Sequence, residues 1–98
     1  MYKPLPDYLT INKSEINGLG LFATEFIKAN TNIGLTHIYN EQFPDNYIRT
    51  PLGGFFNHDK NPNARIDEQE NSLFLITIRD IMPEEEITVT YTLYDPTV

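Results

Sequence analysis

The chain has no cysteine and no tryptophan among its 98 residues. Without cysteine there is no disulfide frame and no thiolate zinc site, a composition that fits a reducing compartment. No apolar run is long enough to span a membrane. The first residues, MYKPLPDYLT, lack a positive start leading into an apolar run, so no secretion signal is read and an intracellular location is expected. Basic residues are few: 7 Lys and Arg against 14 Asp and Glu, a formal net charge of −7. Phosphate recognition rests on Lys and Arg patches, so no direct nucleic-acid partner is expected. The acidic surface attracts basic partners such as Lys-rich peptides, with plain solubility as the blander explanation. Repeats and low-complexity segments are also missing. What is present is 40% hydrophobic and 12% aromatic, enough apolar material to fold. Residues 1–98 are expected to form a single domain with a small core, a size compatible with a homodimer that no residue pattern demonstrates.

The apolar pattern points to short strands. YLTIN (8–12) reads as a strand, and GLGLFAT (18–24) as a tight glycine feature feeding another. In TNIGLTHIY (31–39), Ile33, Leu35, His37 and Tyr39 alternate with Asn32, Gly34, Thr36 and Ile38, a period of two. NEQFPDNYIR (40–49) is a polar connection with one helical turn expected before Pro44. TPLGGFFNHDKNPNA (50–64) is rich in Pro, Gly and Asn and reads as loop. SLFLITIRDI (72–81) reads as a strand buried on both faces and MPEE (82–85) as a turn. In EITVTYT (86–92), Ile87, Val89 and Tyr91 alternate with Thr88, Thr90 and Thr92. No long amphipathic helix is expected, and the fold class is mainly β.

The stretch FNHDKNPNARIDEQEN (56–71) admits two readings. Counted from Asp59, the oxygen-bearing residues Asp59, Asn61, Asn63, Asp67 and Glu70 fall on the ligand positions of a calcium loop, with Ile66 at the usual apolar position. Three features oppose it. Ala64 stands where a glycine should turn the backbone, and Pro62 fixes φ inside the loop. The flanks also read as loop and strand rather than as two helices.

The second reading takes Asn57, His58, Pro62 and Asn63 as N-H-x-x-x-P-N, with SEINGLGLFA (14–23) upstream and PEEEITVTY (83–91) downstream. These three segments, in this order, resemble the SET-domain protein-lysine methyltransferases, over roughly residues 8 to 94. The likeness is to compact viral and bacterial members without accessory cysteine modules. It implies several small β-sheets with a knot-like threading of the C-terminal segment, a rare topology. It also implies S-adenosylmethionine as methyl donor, a lysine of a basic protein or peptide as acceptor, and no metal.

Residue by residue, the resemblance implies that Gly18, Leu19 and Gly20 lay open backbone against the methionine half of the donor. An ordinary turn is the alternative. Asn57 and His58 would hold the donor's amino and adenine groups, largely through backbone atoms, unless His58 is simply structural. Pro62 and Asn63 would shape the loop that the C-terminus threads, and Asp67 to Glu70 would drop out of the site as a solvent-facing turn. Tyr91 would be the catalytic tyrosine, with a core aromatic as its alternative. Ile66 would help set the number of methyl groups, and Tyr39, Tyr47 and Tyr94 would add channel walls. The chain departs from the family pattern in carrying Asp59 after Asn-His, Gly54 where an arginine is common, and Val89 for the first tyrosine of the ending. Only residues 24 to 56 separate the first two motifs, so the peptide groove is minimal or is completed by another chain or by the substrate. A SET-like module that binds donor or basic peptide without turnover is therefore the alternative function.

Overall fold

The computed structural model describes residues 5–44 and 46–90. Eight short strands and one helical turn lie along this stretch: β1 (Leu9–Lys13), β2 (Leu19–Ala23), β3 (Asn32–Tyr39), β4 (Tyr47–Arg49), α1 (Pro51–Gly54), β5 (Asn57–His58), β6 (Ala64–Gln69), β7 (Ser72–Thr77) and β8 (Thr88–Val89). They form three small sheets: β1–β2, a four-stranded sheet in the order β4-β3-β7-β6, and the pair β5–β8. The mainly β expectation is met. Among the described residues, no helix is long and apolar enough to cross a membrane.

β7 is the centre of the large sheet. It pairs antiparallel with β3 on one side and β6 on the other. Its sequence, SLFLIT, supplies large apolar groups to both faces, as a central strand requires, and Leu73, Leu75, Ile76 and Thr77 are all buried. A core cluster runs from Leu9, Leu21 and Ala23 through Ile33, Leu52 and Leu75 to Ile81, Ile87 and Val89. Every sheet contributes to it, so the small sheets share one interior.

β2 has partners on both edges. β1 pairs with it from Leu9↔Ala23 to Lys13↔Leu19. On its other side the Glu84–Ile87 segment bonds to it: Glu84 N–H to Ala23 O (2.7 Å), Ala23 N–H to Glu85 O (2.9 Å) and Ile87 N–H to Leu21 O (2.8 Å). The chain then enters β8, which runs parallel to β5 with Asn57 opposite Thr88 and His58 opposite Val89. The C-terminal segment therefore lies between elements from both earlier parts of the chain. The expected threading rests on residues beyond Thr90, which lie outside the described residues.

The structure departs from the sequence pattern at five places. β3 is not a simple alternation: register shifts at Asn32/Gly34 and Leu35/His37 turn Leu35 outward (38% exposed) and bury both Thr36 and His37. The segment before Pro44 forms turns closed by Phe43 N–H to Asn40 O (3.1 Å) and Asn46 N–H to Phe43 O (2.9 Å), not a helical turn. The one helical turn comes later, inside the stretch expected to be loop. Thr50 caps it, accepting from Gly53 N–H at 3.3 Å, and Pro51 takes the first position, where its missing N–H costs nothing. The strand expected over 72–81 stops at Thr77, whose hydroxyl donates to Lys28 O at 2.8 Å. Finally, Asp67–Gln69 continue β6 instead of forming a turn, and the reversal falls on Glu70 and Asn71, both at positive φ (52° and 70°). Two central residues at positive φ define the two-residue hairpin turn that matches strand twist.

Candidate functional site

Three stretches far apart in sequence meet at the start of β2. The first is the hook Asn17–Gly20. Gly18 sits at φ 48°, a conformation that glycine adopts without penalty, and a side chain there would meet open space. Ser14 N–H closes the hook onto Gly18 O at 2.9 Å. The Ser14 hydroxyl oxygen accepts from Ile16 N–H (2.9 Å) and Asn17 N–H (3.3 Å), a local turn that Ser favours.

The second stretch is β5. The Asn57 side-chain amide donates to Asn17 O and Leu19 O, each at 3.2 Å, and to Glu86 Oε2 at 2.8 Å. Asn57 is buried, so these bonds satisfy a group that water does not reach. The third stretch brings Glu86. Its carboxylate accepts the Ser14 hydroxyl at 2.8 Å to Oε1 and 2.9 Å to Oε2. It sits directly under Gly20: a Cβ there would run into the Glu86 carboxylate and come within 3.2 Å of Asn57 Nδ2. Gly20 is thus required by packing, Gly18 by backbone conformation.

Asn63 locks the C-terminal segment in place. It is almost fully buried, its amide donating to Glu86 O at 2.7 Å and its Oδ1 accepting Thr88 N–H at 2.8 Å. Glu85, next to this clasp, makes an ion pair with Arg79 at 2.6 Å. Burial pushes the Glu85 carboxyl up, but hydrogen bonds from Arg79, Met82 N–H and Asn63, with the Arg79 charge, outweigh it and hold the group below its ordinary value. A cleft of about 460 Å³ opens beside this cluster, lined among others by Lys13, Ile16, Asp59, Asn63, Glu86 and Thr88. Its size is that of a small-molecule site.

The structure therefore brings together Gly18, Leu19, Gly20 and Asn57, with His58 next in β5 and facing Val89. Tyr39 and Ile66 stand apart from this hub and from each other. They lie on β3 and β6, which flank β7, so two strand spacings of about 4.8 Å lie between their strands. They are offset along β7 as well, Tyr39 lying beyond the His37–Leu73 pair and Ile66 at Leu75. Their registers nevertheless put both on one face: His37 is opposite Leu73 with Tyr39 two residues on, and Ile66 is opposite Leu75. Tyr47 joins that face, packing edge-on against Tyr39 (6.0 Å between ring centres) and His37 (5.9 Å). Tyr91 and Tyr94 lie outside the described residues.

The calcium spacing does not form a ring of ligands. Asn63 is spent on the C-terminal segment, Asp67 extends along β6, and Glu70 occupies the hairpin turn. Among the described residues, no three His, Cys, Asp or Glu side chains are grouped to hold a metal ion. Sequence reasoning gave no role to Ser14 or Glu86, although both lie inside the quoted motifs. The available signal was the run Glu84–Glu86 between apolar residues, since a glutamate drawn into an interior needs a partner.

Comparison with known proteins gives one consistent picture. The SET domain family profile matches residues 39–92. Bovine histone-lysine N-methyltransferase SETMAR is 36% identical over 64 residues, 56% of this chain but only 21% of that protein. The chain thus matches about a fifth of the length of that curated relative. A Plasmodium falciparum protein described as a candidate histone methyltransferase superposes with a TM-score of 0.71 at 26% identity, covering 96% of this chain and all of that one. The methyltransferase domain of human PR domain-containing protein 2 gives 0.70 at 17% identity over 96% of this chain and 84% of its own, a likeness of fold.

Proposed function

Because the chain belongs to the SET-domain family, whose profile covers just over half of it, we propose that it is an S-adenosylmethionine-dependent protein-lysine N-methyltransferase acting on a Lys-containing basic protein or peptide. The observation that carries this reading is the Asn57 amide, which ties the glycine hook to the C-terminal segment at a single point beside the cleft. The residues present fit the donor: Gly18 offers backbone with open space beside it, and Gly20 leaves room for the Glu86 carboxylate that braces the hook. In this role the Gly18–Gly20 backbone holds the methionine half, while Asn57 and His58 hold the amino and adenine groups through β5. When bound, the donor supplies an electrophilic methyl carbon to the lysine ε-amine.

The protein's task is to present that amine neutral and in line. A free lysine has a pKa of about 10.4, so the neutral form at pH 7 costs roughly 4–5 kcal/mol. An apolar channel lowers this cost by disfavouring the ammonium. Tyr39, Tyr47 and Ile66 share the sheet face suited to such a wall. Tyr91, as the catalytic tyrosine, orients the amine through its hydroxyl, a positioning effect that needs no phenolate. Titration of the chain with S-adenosylmethionine in a calorimeter is expected to show saturable binding, and Tyr91→Phe to slow transfer to a Lys-rich protein by ~10²-fold or more. An unchanged rate in Tyr91→Phe would remove the tyrosine from the mechanism.

One observation favours a second reading, a module that binds donor or basic peptide without turnover. Residues 24–56 are used by β3, β4 and α1, all packed on or within the main sheet, so the peptide groove has little wall of its own. Donor binding without methyl transfer to any Lys-rich substrate would select it.

A further inference from the structure

We propose that Glu86 is a charge-bearing positioning residue of the donor site: it braces the glycine hook and makes that wall prefer the cationic methyl donor over its uncharged-sulfur product. The proposal rests on the methyl-donor reading above and assigns a new role within it. Glu86 is the point on which the hook's restraints converge. The Ile16 and Asn17 N–H groups donate to the Ser14 oxygen, the Ser14 hydroxyl donates to the carboxylate, and the Asn57 amide donates to the same carboxylate while bonding Asn17 O and Leu19 O. Each bond aimed at an ionised oxygen is stronger than a neutral one, so the charge stiffens both sides of the hook at once.

The carboxylate also lies against Gly20, closer than a side chain there would allow. If the hook holds the methionine half of the donor, a fixed negative charge stands behind that wall. S-adenosylmethionine carries a sulfonium; S-adenosylhomocysteine has a neutral thioether at the same place. At an effective dielectric near 20, opposite unit charges about 10 Å apart attract by an amount worth roughly tenfold in affinity, the scale on which such a charge can act. Such a bias favours release of the product after transfer. Arg79 is engaged with Glu85, not Glu86, so that ion pair leaves the Glu86 charge in place.

The test is calorimetric titration of the full chain with S-adenosylmethionine and, separately, S-adenosylhomocysteine, together with the melting temperature of each variant. Glu86→Gln keeps the shape and removes the charge. It is expected to weaken the donor about tenfold and the product about threefold or less, so that the ratio of the two affinities shifts. Ser14→Ala keeps the charge and removes one brace; both ligands should weaken by a similar factor of about threefold, with the ratio preserved. Glu86→Gln that binds both ligands like wild type, or loses both in equal proportion, overturns the charge role. If Glu86→Gln does not fold, unaltered binding of both ligands to Ser14→Ala overturns the bracing role. A wild-type chain that binds neither ligand defeats the donor reading itself and this proposal with it, a result distinct from normal wild-type binding with an indifferent Glu86→Gln.

Discussion

At the scale of single residues, the two glycines of the hook are required for different reasons. Gly18 serves a backbone conformation, whereas Gly20 makes room for the Glu86 carboxylate. Gly20→Ala should therefore destabilise the chain by about 1–3 kcal/mol through overpacking and weaken donor binding as the carboxylate is displaced. Chemical denaturation with ligand titration checks both, and an unchanged midpoint would show that Glu86 swings aside freely. Glu84 presents the opposite case. It holds φ 72° in the Met82–Glu85 turn, with Pro83 before it and Glu85 N–H bonded to Met82 O at 3.1 Å. That position favours glycine. Glu84→Gly is expected to stabilise by about 1 kcal/mol and raise the melting temperature by a few degrees. The turn itself was legible from MPEE, but its strain was not, because nothing in that string marks which glutamate takes the left-handed position.

At the scale of elements, pairing decided what pattern alone left open. The apolar runs of β2 and β7 were readable because large apolar groups recur where strands bury two faces. β3 misled because two bulges break its period, and bulges depend on the partner strand. β8 was readable as a strand but not as a parallel partner of β5, since that contact joins residues 31 apart (Asn57 with Thr88). The clasp that holds it is Asn63. Removing its amide in Asn63→Ala leaves Glu86 O and Thr88 N–H short of a partner in a buried place, at an expected loss of about 2–4 kcal/mol. Urea unfolding measures this, and a loss under ~1 kcal/mol would mean that water replaces the side chain. The candidate site was legible as three motifs in order, whereas the Ser14–Glu86–Asn57 network was not, because its members share no local spacing.

At the scale of the whole molecule, two of the described groups couple stability to acid pH. His37 is buried and faces Thr36, Tyr47 and Arg49. Thr36 donates its hydroxyl hydrogen to Leu73 O at 3.2 Å, so it accepts from His37 Nδ1–H at 2.9 Å. The other ring nitrogen, Nε2, is then a bare acceptor, buried and without a hydrogen-bond partner. Burial and the Arg49 charge both hold His37 below its ordinary value. A lowered pKa means that the folded state binds fewer protons than the unfolded one. The stability contributed by neutral His37 is thus fully present above about pH 6.5 and is lost as pH falls through the folded value. The lowered Glu85 carboxyl adds a second loss of the same sign, beginning below about pH 4.5 and reduced by its partial exposure. Unfolding free energy should be level near pH 7 to 8, then fall in two stages. In His37→Gln the upper stage should vanish, and its persistence would assign it to another group.

The parallel pairing of β5 with β8 has a consequence in time. Residues 14–20, 57–63 and 84–89 meet only when the last of them has left the ribosome and the intervening loops have closed. Pairings this distant along the chain form slowly, because loop entropy is lost before contacts compensate it. The hook at Gly18–Gly20 is made early but stays unsupported until Glu86 arrives. A nascent or truncated chain that ends before Glu86 holds most of the sheet sequence and none of the completed site. Maturation of the pocket therefore waits for the Glu84–Val89 segment, and ligand capture reports its arrival.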